Sequence, residues 1–392
     1  MASIKPYATK AGQRWEVRYV KPDGQGTRKR GFLTKRDATT WQAHALVRIH
    51  DGEFTAPAAR KSLLGPLIER YVQRTAGLRA TTIASRESTA KTWVYPKWST
   101  WQVGKVLKTD LQDWVEELAK QNCGAATIEK AHTMVFAVMQ AAVDDKLISG
   151  NPAIGVKLPP AIRRAHPYLS AAEVTELVSH MDERYRLLVS FLAWTGVRFG
   201  EAAALRVSDL NLDGASMVIS RSVTEVRGYL IEGPTKSGES RVVPIQPQLV
   251  PALRTQIRGL PTNSLVFQAA QGGQLRANTW RNRYLYPGLE RATKARAEAN
   301  RRAYGSAQAG KPFPQITPHD LRHTAASLAV QAQANVLGIQ RMLGHESASM
   351  TLNVYADLFD THLVEVGYRM GQLLAGTNLL SFLPTDGSAL PA

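Results

Sequence analysis

The sequence predicts a multidomain α+β protein, and three observations support that prediction. The chain has 392 residues, which is more than one ordinary domain. Its hydrophobic pattern changes along the chain from strand-like to helical and then to mixed. It is also strongly basic, with 49 Lys and Arg against 32 Asp and Glu, a net charge of +17. Such a surplus favours a polyanionic partner, nucleic acid first and an anionic membrane second, with plain solubility charge as the alternative.

Residues 1–55 are predicted to form a small β-sheet with one helix. The stretch RWEVRYV alternates apolar and polar residues as a half-buried strand does, a KPDGQG turn follows, and RKRGFLT is the next strand. Helical spacing runs from Asp37 to Gly52. Residues 1–36 hold ten Lys and Arg against two acids, a local net charge of +8. We therefore expect a DNA-binding module, because strands can enter the major groove; a dimerisation or docking domain is the alternative.

Residues 56–160 are predicted to be all-helical. Four stretches place apolar residues at steps of three and four: LLGPLIERYVQRT, TTIASRESTAKTWV, TDLQDWVEELAKQ and ATIEKAHTMVFAVMQAAVDD. The run NPAIGVKLPPAIRRAHP is rich in Pro, Gly and Arg, and it predicts an interdomain linker. Such a linker could lie along a DNA groove or be a solvated connector.

Residues 166–375 are predicted to form a larger, mainly α domain with a small antiparallel sheet. A capping box at Ser170 opens its first helix, and RYRLLVSFLAWTGVRFGEAAAL is predicted to be the next. Three strand-like runs follow, ASMVISRSV, GYLIEGPTK and SRVVPI, and then helices to about residue 375. Residues 276–311 form a second basic cluster, with nine Lys and Arg against two acids. Residues 376–392 are predicted to be a loosely ordered tail.

Several classes of protein are excluded by what the sequence lacks. Cys123 is the only cysteine, so no intrachain disulfide framework and no cysteine-based metal site is expected. No apolar run approaches the ~20 residues of a transmembrane helix. The N-terminus has no apolar core of a signal peptide. We therefore expect a cytoplasmic chain with no membrane partner.

Two pieces of the last domain hold cations suited to phosphate chemistry. In TGVRFGE, Arg198 and Glu201 are three residues apart on one helical face, where Glu201 could orient the guanidinium; a surface ion pair is the alternative. In PTKSGESR, the turn signal after Lys236 places this lysine at or beside a hairpin tip. There it could donate a proton to a leaving alkoxide, and a solvated loop lysine is the alternative.

A third piece, TPHDLRH, combines a cation with a proton acceptor. Thr317 suits a helix N-cap and Pro318 the first helical position, so His319 and Arg322 should lie one turn apart on one face. That pair suits an oxyanion whose charge is spread over several oxygens. His323 is expected to point elsewhere and to be structural.

The fourth piece is LGHES followed by TLNVYAD. Gly344 suits a helix C-terminus, which leaves His345 at a turn between helices. Tyr355 shows no obvious core role. A phenol of pKa about 10 is a poor nucleophile unless cations or a base assist it.

The order of these pieces resembles the tyrosine recombinase (phage integrase) family, temperate-phage integrase type. The matching words are TGVRFGE, TKSGESRVVP, TPHDLRHTAASL and MLGHESASMTLNVYADLF, within the last ~210 residues. The resemblance implies a catalytic domain over residues 166–375. By position and pattern, residues 56–160 are similar to the family's helical core-binding domain and residues 1–55 to its arm-binding sheet domain.

The resemblance also implies a role for each site residue and needs no cofactor, neither ATP nor metal. Arg198, Arg322 and His345 would hold the scissile phosphate, and Glu201 would support them. Tyr355 would attack to give a 3′-phosphotyrosyl link, Lys236 would protonate the leaving 5′-oxygen, and His319 would assist proton transfer at the tyrosine. The expected function is site-specific integration and excision of a phage genome or other mobile element.

The implied partner is double-stranded DNA at core-type and arm-type attachment sites, bound by a homotetramer in a bacterial host cell. DNA-bending and directionality factors stay open as further partners. The candidate DNA contacts are Arg28, Lys29 and Arg30 for the arm site, and Arg79 and Lys91 for the core site. Two alternatives are a catalytically silent DNA-binding regulator of the same fold, against which the complete catalytic set argues, and a relaxing topoisomerase, which would not need an arm-binding module.

Overall fold

The computed structural model describes most of the chain as two compact units, Met1–Arg163 and Arg164–Ala392. The boundary between the units falls in the basic run predicted to be a linker. The division into three domains and a tail stays a prediction. The described residues are 2–20, 24–50, 59–160, 167–236, 238–305, 310–349, 352 and 363–375.

The first unit begins with a three-stranded antiparallel sheet in the order β1-β2-β3 and one helix. Val17 and Tyr19 of the central strand are buried against the helix, where Trp41 meets the Tyr19 ring edge-on at 5.3 Å. The predicted strands and helix are confirmed. The first strand was not predicted, because Pro6 interrupts its pattern; an edge strand tolerates proline. The elements are β1 (Ser3–Thr9), β2 (Gly12–Val20), β3 (Gly26–Phe32) and α1 (Lys35–His50).

The rest of the first unit is mainly helical, as predicted, and aromatic side chains lie in its core. Trp98 and Trp114 are almost fully buried and meet edge-on at 5.6 Å. A π-helical turn, Ala90–Val94, joins the third helix to the fourth. The helices are α2 (Leu64–Gln73), α3 (Ala80–Thr89), α4 (Tyr95–Trp98), α5 (Lys108–Lys120) and α6 (Ala125–Asp144).

The first half of the predicted linker is packed rather than free. Asn151 is buried, and its Nδ2 donates to the carbonyl of Phe136 at 3.1 Å. Gln112 and the backbone of Lys157 exchange two hydrogen bonds, of 2.9 and 3.2 Å. The linker expectation is therefore wrong for this half, because hydrogen bonds to the Gln112 side chain of α5 and to the Phe136 carbonyl of α6 hold it in place.

The second unit contains nine described helices and a large apolar core. Its first helix has the predicted capping box, in which Ser170 and Glu173 exchange hydrogen bonds. The helices are α7 (Ala171–His180), α8 (Glu183–Thr195), α9 (Phe199–Ala204), α10 (Val250–Gln256), α11 (Ala277–Trp280), α12 (Tyr286–Tyr304), α13 (Asp320–Gln331), α14 (Val336–Leu343) and α15 (Leu363–Ala375). None of the helices in the described part of the chain has the length and apolarity to cross a membrane.

The helix predicted from Arg184 through Leu205 is two helices, which corrects that expectation. Gly196 ends α8 in the left-handed region, with φ of +67°. A Cβ there would lie 2.6 Å from the Leu343 side chain. Both the backbone angle and the close packing therefore require glycine. The break leaves Arg198 as the residue that precedes α9.

The predicted small sheet is two antiparallel sheets, in the orders β4-β5-β8 and β6-β7. The β6-β7 hairpin turns at Arg227 and Gly228, with φ of +51° and +81°, as in a tight hairpin of the primed type. The strands are β4 (Leu210–Asn211), β5 (Ser216–Ile219), β6 (Arg221–Val226), β7 (Tyr229–Pro234) and β8 (Arg241–Pro244).

Candidate active site

Arg198 and Glu201 are joined at the start of α9. The backbone N–H of Arg198 donates to Glu201 Oε2 and its Nη1 donates to Oε1, both at 2.9 Å. The Glu201 side chain is 0% exposed and that of Arg198 is 26% exposed, so the pair is not a surface ion pair. The predicted pairing is present, although Arg198 stands at the helix break rather than inside one continuous helix.

A second arginine, Arg241 of β8, binds the same carboxylate. Its Nη1 and Nη2 donate to Glu201 Oε1 and Oε2 at 3.1 and 2.6 Å, and its Nε donates to the carbonyl of Met342 at 3.2 Å. Sequence reasoning gave Arg241 no role. One signal was available, since Arg241 shares a strand face with the buried Val243, and a cation on an inward face needs an acid.

The two arginines hold the carboxyl group of Glu201 ionised. Burial alone would raise the pKa of Glu201, but the hydrogen bonds and charge of Arg241, and then those of Arg198, keep it below its ordinary value. The cluster of one carboxylate and two guanidinium groups therefore carries a net positive charge. Such a cluster can attract an anion.

Arg322 is buried, at 3% exposed, and is held by backbone carbonyls. Its Nη1 donates to the carbonyl of Gly196 at 2.8 Å, and its Nη2 donates to that of Leu343. Arg198 Nη2 donates to the next carbonyl, that of Gly344, at 3.5 Å. The C-terminus of α14 thus brings together the two arginines that were predicted to hold a phosphate.

The helix that carries Arg322 begins two residues later than predicted. The backbone N–H and the hydroxyl of Thr317 both donate to Asp320 Oδ2 at 2.7 Å, and α13 starts at Asp320. Pro318 is therefore not the first helical residue, and His319 takes the N-cap position. The reason is that the Asp320 carboxylate closes the Thr-Pro-His turn before the helix begins.

His345 follows the predicted glycine C-cap and lies among the cationic groups of the site. Gly344 adopts φ of +66° and ends α14, as expected. Burial and then the charges of Arg322 and Arg198 lower the pKa of His345 to about 4. The imidazole is therefore neutral above about pH 4.

His319, at the N-cap of α13, and His323, within α13, belong to the same cluster. His319 and His323 meet edge-on, with ring centroids 5.0 Å apart, and the charges of both lower the pKa of His345 further. His319 is exposed and His323 is buried. The expectation that His323 points away from the site is wrong, because residues four apart share a helical face.

Lys236 lies in a turn rather than at a hairpin tip. The strands on its two sides, β7 and β8, belong to different sheets, and the hairpin partner of β7 is β6. The backbone N–H of Gly238 donates to the carbonyl of Thr235 at 3.0 Å and closes the turn. Lys236 is exposed there, five residues before Arg241.

The position of Tyr355 falls outside the described residues. What the structure describes is the cluster of Arg198, Glu201, Arg241, Arg322 and His345, beside a cleft of about 600 Å³. Two segments of the chain line the cleft. One contributes Glu239, Ser240, Arg241 and Val242, and the other contributes Gln340, Arg341, Gly344, His345 and Glu346.

The predicted DNA-contact residues all lie in the first unit. Arg28 and Arg30 share one sheet face with the buried Glu16, whereas Lys29 pairs with Val17 on the helix-facing side. Arg30 is bound to Glu16 at 2.8 Å. The two core-site candidates, Arg79 before α3 and Lys91 after it, are exposed.

Comparison with known proteins shows which family this chain is similar to. Residues 167–362 match the sequence profile described as the phage integrase family. The chain is 27% identical to an integrase of Mycobacterium phage D29 over 376 residues, which covers 93% of this chain and 96% of the relative. It is 29% identical over 227 residues to a tyrosine recombinase XerC of Xanthomonas axonopodis pv. citri, covering 56% of this chain and 63% of that one.

A solved structure has a similar fold. It is that of the Tn1549 transposon integrase in complex with a circular intermediate DNA, with a TM-score of 0.64 and 18% sequence identity. The match covers 75% of this chain and 95% of that one. The likeness confirms the predicted α+β fold class.

Proposed function

Because this chain belongs to the phage integrase family and is a tyrosine-type site-specific recombinase, we propose that it cleaves and rejoins duplex DNA through a 3′-phosphotyrosyl link on Tyr355. The observation that carries the proposal is the convergence of Arg198 and Arg322 on neighbouring carbonyls of the α14 C-terminus. The guanidinium groups of Arg198 and Arg322 are fixed side by side, and the neutral His345 directly follows Gly344. These three groups suit the oxygens of a pentacoordinate phosphate.

The proposed chemical step balances on residues of this chain. The Tyr355 oxygen attacks the scissile phosphorus, its proton passes to His319, and the bond from phosphorus to the 5′-oxygen breaks. Lys236 gives a proton to that oxygen, which leaves as a 5′-hydroxyl. Arg198, Arg322 and His345 stabilise the non-bridging oxygens, and Glu201 orients Arg198. The phosphodiester energy stays in the covalent link, so religation to a new 5′-hydroxyl consumes no ATP.

We also propose that the reaction integrates and excises a phage genome or other mobile element. The likeness to a phage integrase along 93% of this chain and 96% of the relative supports this. Exchange between two duplexes needs four cleaved strands and therefore four copies of Tyr355, so a homotetramer assembles on DNA. The reaction takes place on DNA in the cytoplasm of a bacterial host.

DNA contacts in the first unit are part of the proposal. Arg28 and Arg30, with Lys5 and Arg18, make the outward face of the N-terminal sheet basic, and we assign the arm-type site to that face. Lys29, on the opposite face, becomes the weakest of the three arm candidates. Arg79 and Lys91 stay candidates for the core-type site.

The test is capture of a covalent protein–DNA adduct. The native chain and Tyr355→Phe are incubated with a pool of nicked host and phage DNA, and adducts that survive SDS are collected and their DNA ends sequenced. Tyr304→Phe is the matched control, because Tyr304 is exposed at the end of α12. We expect adducts at one recurring sequence from the native chain and the control, and none from Tyr355→Phe.

Two results would contradict the proposal. Adducts that persist with Tyr355→Phe would assign the nucleophile to another residue. Binding of DNA without any adduct from the native chain, on substrates that carry both attachment sites, would favour the catalytically silent regulator.

The role of Lys236 has its own test. On a captured site whose 5′-bridging oxygen is replaced by sulfur, the leaving group is a thiolate, which needs no proton. Lys236→Ala should cleave the oxygen substrate about 100-fold more slowly and the sulfur substrate at close to the native rate. An equal loss on both substrates would exclude Lys236 as the general acid.

A further inference from the structure

We infer that Arg241 is a positioning residue for strand cleavage, which fixes Arg198 and the His345 turn in the geometry that receives the phosphate. The inference rests on the proposed function. Arg241 would not touch DNA in this role. It would act through Glu201 on one side and through the end of α14 on the other.

The contacts of Arg241 join three separate elements. From β8 its two terminal nitrogens bind both oxygens of Glu201 in α9, and its Nε binds the carbonyl of Met342 in α14. The side chain also lies flat against the C-cap of α14, because a Cβ at Gly344 would be 2.9 Å from both Cδ and Nε of Arg241. One side chain therefore sets the distance between the carboxylate that holds Arg198 and the turn that carries His345.

The charge balance gives Arg241 a second effect. Glu201 is completely buried and accepts from Arg198 through Oε1 and from the Arg198 backbone through Oε2. With a single arginine, the carboxylate and the guanidinium together would carry no net charge. Because Arg241 supplies a second guanidinium to the same two oxygens, the cluster keeps a net positive charge. Arg198 Nη2 is directed to the Gly344 carbonyl rather than to Glu201.

Only arginine has the geometry for all of these contacts. Its planar fork places two parallel N–H donors on a carboxylate and keeps Nε for a third acceptor in the same plane. A lysine at the position keeps the charge but cannot bind both Glu201 oxygens and the Met342 carbonyl together. Arg241→Lys therefore separates the fork geometry from the charge, and Arg241→Gln removes both.

The experiment measures single-turnover cleavage at saturating protein on a nicked duplex with the captured site, together with the affinity for that duplex. We expect Arg241→Lys to cleave about 10- to 100-fold more slowly, since small misplacements of binding groups have effects of this size. The affinity should change by less than about 3-fold. Arg241→Gln should be slower again. Arg254→Lys is the matched control, because Arg254 is 53% exposed and its acidic partner, Asp213, is 92% exposed.

A second substrate separates positioning from general damage to the fold. A methylphosphonate at the scissile position removes the negative charge that Arg198 must stabilise. If Arg241 acts by directing Arg198, the penalty of Arg241→Lys shrinks at least about 5-fold on this neutral substrate, because a guanidinium stabilises little charge there. A fold defect would slow both substrates equally.

The outcomes distinguish the inference from the proposed function. No adduct from the native chain would reject the proposed function itself. Native cleavage with Arg241→Lys at an unchanged rate, or with the same penalty on both substrates, would overturn the role of Arg241 and leave the proposed function standing.

Discussion

The two basic stretches found in the sequence, residues 1–36 and 276–311, differ in how their cations pair with acidic side chains in the fold. In the first, the described residues contain one acid, Glu16, which binds Arg18 and Arg30. In the second, five of the nine cations bind acids, and three of those acids lie outside the stretch. The five pairs are Arg276–Glu225, Lys294–Glu290, Arg296–Glu176, Arg302–Glu298 and Lys311–Glu173.

The difference teaches that the net charge of a sequence window does not measure charge available to a ligand. Glu225, Glu176 and Glu173 reach residues 276–311 only through the tertiary fold, so the window sum of +7 overstates its free charge. The sheet face around Glu16 keeps more of its excess positive charge. We therefore expect the first stretch to bind phosphates and the second to contribute chiefly to stability.

The largest expected effect is on DNA binding by the N-terminal sheet. Lys5 and Arg28 are exposed on the face that carries Glu16. The double variant Lys5→Ala, Arg28→Ala should reduce the slope of log affinity against log salt by about 2 and weaken duplex binding about 10-fold or more at 0.1 M salt. The measurement is a salt titration by fluorescence anisotropy.

The control removes the same two residue types from the other stretch. Lys294 and Arg302 are exposed on α12 and pair with Glu290 and Glu298 one turn earlier. Lys294→Ala, Arg302→Ala should change the salt slope by less than about 0.5. If both double variants reduce the slope equally, the contrast between the stretches is wrong and only total charge matters.

A smaller effect is expected on the stability of the second unit. Arg296 binds Glu176 through two nitrogens, lies over the Phe313 ring at 5.5 Å, and is 22% exposed. Arg296→Ala should lower the free energy of unfolding by about 1–2 kcal/mol, which is a fall in Tm of about 2–6 °C. Arg301→Ala, at an exposed position of the same helix, should shift Tm by less than about 1 °C. Equal shifts would show that Arg296 has no special place in the fold.

Much of the fold was predictable because it follows from local pattern. The four predicted helical stretches of residues 56–160 are present as α2, α3, α5 and α6, and the capping box at Ser170 is present too, since periodicity and capping chemistry are properties of neighbouring residues. The split at Gly196 and the second sheet were not. Both depend on long-range contacts. The split at Gly196 depends on packing against Leu343, and the second sheet forms because β5 pairs with β8 whereas β6, the next strand, pairs with β7.

The candidate site likewise contains residues that local motifs predicted and one that depends on long-range contacts. The motifs identified Arg198, Glu201, Arg322 and His345, and the structure brings these four together. Arg241 was missed because its partners are 40 and 101 residues away in the sequence. No local spacing encodes such contacts. Only the inward strand position of Arg241 gave a hint.

The smallest expected effect concerns the pH dependence of the Glu16 cluster. Hydrogen bonds from Arg30 and then Arg18 lower the pKa of Glu16 below its ordinary value of 4.5. Because the pKa is lower in the folded state, the carboxylate stabilises the fold fully above about pH 4.5, and this contribution is lost as the pH falls through the folded pKa. The difference in Tm between the native chain and Glu16→Gln should be constant from pH 7 to pH 5 and shrink towards pH 3.

The comparison with an exposed carboxylate makes that prediction specific. Lys294 likewise lowers the pKa of Glu290, but the Glu290 side chain is 65% exposed, whereas that of Glu16 is 3% exposed. Solvent screens the exposed pair, so Glu290→Gln should leave Tm within measurement error at every pH. A Glu16→Gln difference that stays constant down to pH 3 would mean that the carboxylate charge does not hold Arg18 and Arg30, and that the basic face is ordered by the sheet backbone alone.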